Sequence, residues 1–119
     1  MEREGILGSF EQLILLAVLR LDADAYGMTV RQEIERQTGD NASLGAVYAT
    51  LERLEQKGLV RSRTAAGDSS RGGRARRYFA VESAGLDALH RSFSALDRMR
   101  LAVPMFAPVL NPTPGGARR

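Results

Sequence analysis

Apolar positions recur along this chain with two periods, and the change of period divides it. From Ser9 to about Leu21 the pattern is helical. Ser9 followed by Gln12 reads as a capping box at the helix start. Leu13 to Leu19, LILLAVL, is apolar on every side. A helix apolar all round must be covered all round, so part of this one is expected to face a second subunit. After a polar link from Asp22 to Ala25, a second helix is expected from Tyr26 or Gly27 to Thr38. Tyr26, Val30 and Ile34 mark its buried side, with Arg31, Glu33, Glu35 and Arg36 solvated. Gly27 implies close packing or a tight bend, and Gly39 a stop.

A third helix is expected between Ser43 and Gly58, SLGAVYATLERLEQKG. Ser43 suits the N-cap and Gly58 the left-handed C-terminal stop. Val47, Leu51 and Leu54 form its apolar stripe. Gly45, Ala46 and Ala49 leave the N-terminal turn of the outward face nearly bare, beside Tyr48 and Thr50. Such a turn can approach another surface closely. A DNA groove is one such surface, with the helix N-terminus toward phosphates. An ordinary amphipathic core helix would show the same stripe. Three short helices joined by tight turns fit a helix-turn-helix.

The period then falls to two. Leu59 to Thr64 and Ala75 to Val81 read as strands, joined by the Gly- and Ser-rich AAGDSSRGGR. The hairpin carries Arg61, Arg63, Arg71, Arg74, Arg76 and Arg77 against Asp68 alone. Arginines beside a candidate recognition helix can neutralise phosphates or enter a minor groove. Helix, hairpin and arginines together favour nucleic acid over a merely solvated hairpin. Ser83 then caps a last helix to about Val103. Leu86, Leu89, Phe93 and Leu96 form a coiled-coil-like seam on it. A partner helix from a second copy would cover this seam, as would the chain's own first helix. Pro104 ends the helix, and a Pro- and Gly-rich tail follows. The fold class expected is mainly α with a small β-hairpin: residues 1–82 a winged helix-turn-helix with its wing over 59–81, residues 83–103 a dimerisation helix, and residues 104–119 a tail.

Charge and composition narrow the chemistry. The 119 residues fit one domain, and the net charge of +3 permits nucleic acid without demanding it. Without cysteine there is no disulfide, thiolate metal site or cysteine nucleophile. His90 is the single histidine, so it lacks partners for a metal set. GDSSRGG lacks the lysine and following helix of a phosphate loop. No catalytic residue, metal site or cofactor is expected, and the chain reads as no enzyme. The apolar run Leu13–Leu19 is too short to span a bilayer. With no signal-like start, a cytoplasmic location without membrane contact is expected.

Three blocks carry a resemblance: LLAVLRLDADAYGMTVRQEIERQTG, SLGAVYATLERLEQKGLVRSR and GGRARRYFAVESAGLDAL. Together, over roughly Leu13 to Leu89, they resemble the PadR family of bacterial transcriptional regulators. Their most specific pieces are Tyr26-Gly27, the block from Ser43 to Val60, and Arg76-Arg77-Tyr78-Phe79 before a helix with Gly85. LERLEQKGLV alone recurs widely among winged-helix proteins. The resemblance implies a homodimeric winged-helix repressor of the family's short type, bound to a near-palindromic duplex operator. It implies DNA contacts at Ser43, Gly45, Tyr48, Thr50 and Arg53, and at Arg71, Arg74, Arg76 and Arg77 of the wing. It implies that the C-terminal helix makes the dimer, and the apolar patterns of the first and last helices put Leu13, Leu16, Leu86, Leu89, Phe93 and Leu96 at that interface. Ala49 stands where the family often has proline, and Ser83 where it often has threonine. Some short members stack flat aromatic drugs between tryptophans at the dimer centre. This chain has no Trp, so any small-molecule effector would be held differently. The rival reading is a winged-helix module that binds an acidic protein through the same arginines.

Overall fold

The computed structural model describes residues 6–66 and 75–107. Four helices and one hairpin follow in the order α1 (Ser9–Leu21), α2 (Gly27–Thr38), α3 (Leu44–Gln56), β1 (Val60–Ala65), β2 (Arg76–Val81) and α4 (Ser83–Leu101). Short 3-10 turns occupy Asp22–Asp24 and Pro104–Phe106. Mainly helical with one antiparallel hairpin, the chain has the fold class read from its sequence.

Local chemistry sets the ends. Ser43 accepts a hydrogen bond from the Ala46 amide at 3.0 Å, which satisfies a free donor at the start of α3. Gly39 and Gly58 adopt φ of +80° and +78°, conformations in which a Cβ is strained. Two caps fall one residue earlier than the sequence suggested. At α1 the extended residue is Gly8, whose amide donates to Glu11 Oε1 at 3.1 Å, and Ser9 is already helical. At α4 it is Glu82, whose carbonyl accepts from the Leu86 amide at 3.1 Å, and Ser83 is the first helical residue. In both places backbone geometry and an available carboxylate or carbonyl outweigh the serine hydroxyl.

The core lies between α1, α2 and α3. Ile14 and Leu15 meet Val30, Val47, Leu51 and Leu54, all fully buried. Fully burying each such side chain stabilises by about 1.5–3 kcal/mol. Val60 and Phe79 extend this core under the hairpin, and Ala88 and Leu89 bring the first half of α4 onto it. The strands pair from Val60↔Val81 to Ala65↔Arg76. A lone bridge between Tyr26 and Tyr78 and the bond from the Phe79 amide to the Ala25 carbonyl, 2.9 Å, tie β2 to the entry of α2.

Leu16 and Leu19 on α1 stay exposed, so this helix, apolar all round, is not covered all round within one chain. Burial departs from expectation at three places. Glu33, expected in solvent, is only 3% exposed. It accepts from Arg20 Nε at 2.6 Å and Gln37 Nε2 at 2.9 Å, and it also pairs with Arg36. A buried carboxylate needs such partners, and the Gln37 and Arg20 hydrogen bonds hold it below its ordinary pKa. Thr50, expected on the outward face, is 3% exposed, because it lies three residues after Val47 and so falls within the buried stripe. Leu89 packs into its own subunit's core, while Leu86, Phe93 and Leu96 remain exposed.

Candidate nucleic-acid interface

The outward face of α3 is built from small residues. Gly45, Ala46 and Ala49 are exposed, and a side chain at Gly45 would meet only open space. Ser43 caps the same end. Tyr48 rises beside them, 38% exposed. Its ring lies against Gly27, where a Cβ would overlap it. Gly27 is therefore required by close packing, not by a positive φ.

Through Gly27, Tyr48 adjoins the segment that meets the hairpin. Tyr26, next to Gly27, meets Tyr78 edge-on with ring centroids 5.4 Å apart and planes at 71°. The Arg76 guanidinium lies 4.3 Å from the Tyr26 ring centroid, and that of Arg63 lies 4.8 Å from Tyr78. Cations over aromatic faces are stabilised by the ring quadrupole while their edges stay available for hydrogen bonds. Hydrogen bonding to Tyr78 and the nearby Tyr26 hold the Arg76 pKa above the usual arginine value. The result is a strip from the bare turn of α3, through two tyrosines, to exposed guanidinium groups on the outer face of the hairpin.

Arg77 lies elsewhere. Residues next to each other in a strand point to opposite faces, so Arg77 shares the inward face with buried Phe79, and its guanidinium is 5.1 Å from that ring centroid. It pairs with both Glu52 and Glu55 of α3 and donates to Ser62 Oγ at 3.1 Å. Its hydrogen bond to Glu52 raises its pKa and lowers that of Glu52. Arg53, also expected on this surface, is 3.6 Å from Glu11 and about half exposed. Glu11 accepts from Lys57 Nζ at 2.9 Å. Burial pushes the Glu11 pKa up, but the Lys57 hydrogen bond, the Gly8 amide and the charges of Lys57 and Arg53 bring it below the ordinary value. Glu11 thus fastens the last turn of α3 to the start of α1. Arg71 and Arg74 fall outside the described residues.

Ser43, Gly45 and Tyr48 share the outward end of α3, and Arg76 and Arg63 share the outer face of the hairpin with Tyr26 and Tyr78. The sequence alone does not point to Tyr26 or Tyr78 as members of this surface. Tyr26 had been read only as a buried position of α2, and nothing local in the sequence pairs it with a residue 52 positions on. The alternation outward from Phe79 was a signal that would have separated Arg77 from Arg76. Among the described residues no group of His, Cys, Asp and Glu is arranged to hold a metal, and no helix is long and apolar enough to cross a membrane.

The model of the transcriptional regulator PadR-like family matches residues 15–91. A comparison with curated proteins gives no match. Among solved structures, a PadR-like transcriptional regulator from Bacillus cereus is 20% identical over 79% of this chain and 86% of its own, with a TM-score of 0.63. A PadR family transcriptional regulator from Eggerthella lenta is 23% identical over 79% and 80%, with a TM-score of 0.64. The ORC1 protein of Aeropyrum pernix, solved in complex with DNA, is 20% identical over 76% of this chain but only 26% of its own, with a TM-score of 0.58. At these identities the likeness is one of fold.

Proposed function

This chain belongs to the PadR-like family of transcriptional regulators, and we propose that it acts as a homodimeric repressor binding a near-palindromic DNA operator in the cytoplasm. The carrying observation is the strip from Gly45 and Tyr48 through Tyr26 and Tyr78 to Arg76 and Arg63. It joins a helix face bare enough to enter a major groove to cations suited to the adjacent backbone. In this reading Ser43, Gly45 and Tyr48 set the register of α3 on the duplex. Arg53, half free of Glu11, reaches the backbone, and Arg76 supplies salt-dependent affinity together with Arg71 and Arg74 of the wing tip. Thr50 acts from inside the helix by fixing its packing.

The dimer reading rests on apolar surface left open on one chain. Leu86, Phe93 and Leu96 of α4 are exposed, as is Leu16 of α1, with Leu13 half covered. A second copy related by two-fold symmetry would cover these positions. It would also set half-sites roughly 34–36 Å apart. Leu89 supports this interface from beneath. On this reading residues 1–82 read DNA and residues 83–103 pair the subunits through the outer stripe of α4, with residues 104–119 assigned to neither task. An effector, if one relieves repression, must be bound without tryptophan stacking.

The test is binding of the purified protein to the duplex upstream of its own gene and to a scrambled duplex, across a salt series. Preference for the upstream duplex, with log affinity falling steeply against log salt, is the expected result. Absence of binding to either duplex at moderate salt would refute DNA as the partner and favour an acidic protein in its place.

A further inference from the structure

Tyr48, Glu52 and Glu55 follow Gly45 at helical spacing, so this side of α3 continues from a bare turn into two carboxylates, Glu52 exposed and Glu55 half-buried. Facing a polyanion, two carboxylates on a recognition helix would be repelled by phosphates. Each nitrogen of the Arg77 guanidinium has a partner within the chain: Nη1 on Glu52, Nη2 on Glu55 and Nε on Ser62 Oγ. Ser62 Oγ in turn donates to Glu55 Oε2 at 2.8 Å. One side chain of β2 therefore joins the base of the wing to the outward edge of α3.

Resting on the DNA-binding reading, we propose that Arg77 is a positioning residue and not a phosphate ligand: it clamps the wing to the recognition helix and masks Glu52 and Glu55 from the duplex. The fork geometry matters, because a planar guanidinium holds its donors in fixed directions that reach two carboxylates and a hydroxyl spread over two elements. Arg76, on the opposite face of the same strand, is exposed over the Tyr26 ring, and on the same reading it is the contrasting phosphate ligand.

A double-mutant cycle tests this on the full chain with a fixed operator-containing duplex. Affinity is measured for the unaltered protein, Arg77→Gln, Glu52→Gln/Glu55→Gln, and the triple variant. Arg77→Gln alone is expected to weaken binding about tenfold, while in the Glu52→Gln/Glu55→Gln background the same change costs no more than about twofold. Equal losses in both backgrounds would mean that the guanidinium touches DNA itself and would overturn the proposal. So would a loss confined to the melting temperature with affinity unmoved. Arg77→Lys serves as a second variant should Arg77→Gln fail to fold. It keeps the charge without the fork and is expected to lose affinity only where the carboxylates are present, whereas a mere phosphate contact would be served nearly as well by lysine. If the unaltered protein binds no duplex, the DNA reading falls and this role falls with it. If it binds and the cycle shows no coupling, the role of Arg77 falls alone.

Discussion

The helices α1 to α3 and the second half of α4 carry similar apolar periodicity but meet different fates. Ile14, Leu15, Val47, Leu51 and Leu54 are sealed from solvent within a single chain. Leu96 and Met99 are 61% and 69% exposed, and Leu101 follows them. The difference lies in what the chain has left to place against each stripe. Four elements converge on α3, whereas past Ser92 there is little of the described chain for α4 to meet. Apolar periodicity predicts that a face will be covered and says nothing about which molecule covers it. Within α4 the two fates sit side by side. Gly85, Ala88, Leu89 and Ser92 form a narrow inner stripe on the body, and Ser92 Oγ accepts from the Leu7 amide at 2.9 Å. Leu86, Phe93 and Leu96 form an outer one.

The sharpest way to break this comparison is to substitute one residue set from each region. Leu51→Ala in the core is expected to cost about 2–5 kcal/mol of stability, read by denaturant unfolding. Leu96→Asp with Met99→Asp should leave the secondary structure intact but halve the mass seen by light scattering. An unchanged mass for the seam variant would show that the outer stripe pairs nothing. This pair is a cleaner probe than any change at Leu89, whose loss would damage the core directly.

A smaller effect separates the body from the recognition surface at two glycines. A methyl at Gly85 would collide with the Leu59 carbonyl oxygen and Val81. Backbone cannot yield easily there, so Gly85→Ala should destabilise by about 1–3 kcal/mol. At Gly27 the obstacle is the far end of the Tyr48 side chain, which can swing away. Gly27→Ala should therefore shift thermal stability less than Gly85→Ala does, while weakening duplex binding more. The reverse ranking would detach Tyr48 from recognition.

The smallest expected effect is on pH dependence. The folded pKa of Glu11 is depressed, so its contribution is present above the unfolded glutamate value of about 4.3 and is lost as pH falls through the folded value. Glu11→Gln should lower the melting temperature modestly at neutral pH and flatten its decline on acidification below about pH 5. If the two proteins show parallel acid profiles, Glu11 is no anchor for α3.

Much of the site was written locally. Ser43, Gly39 and Gly58 announced their caps and turns because capping depends on a few adjacent residues. Thr50 and Arg77 take places other than the outward ones expected, although their spacing was in view. A hydroxyl three residues after Val47 was assigned by its chemistry when its position put it inside, and an arginine beside Arg76 was counted with it when strand alternation sends the two apart. Glu33 is the same case: it lies three residues after Val30 and so falls within the buried stripe of α2. What no local pattern encodes is its partner Arg20, which comes from another helix.

What the sequence determined by itself was the order and type of the elements, the bare turn of α3 and the surplus of cations on the hairpin. These depend on period, propensity and composition, which are properties of neighbours along the chain. Tertiary structure alone decided that Tyr26 and Tyr78 would meet each other and carry Arg76 and Arg63, and that Arg77 would pair with Glu52 and Glu55. It also decided which leucines of α4 stay uncovered. Each of these depends on which distant segments the fold brings within a few ångströms, and on which faces it leaves without a neighbour.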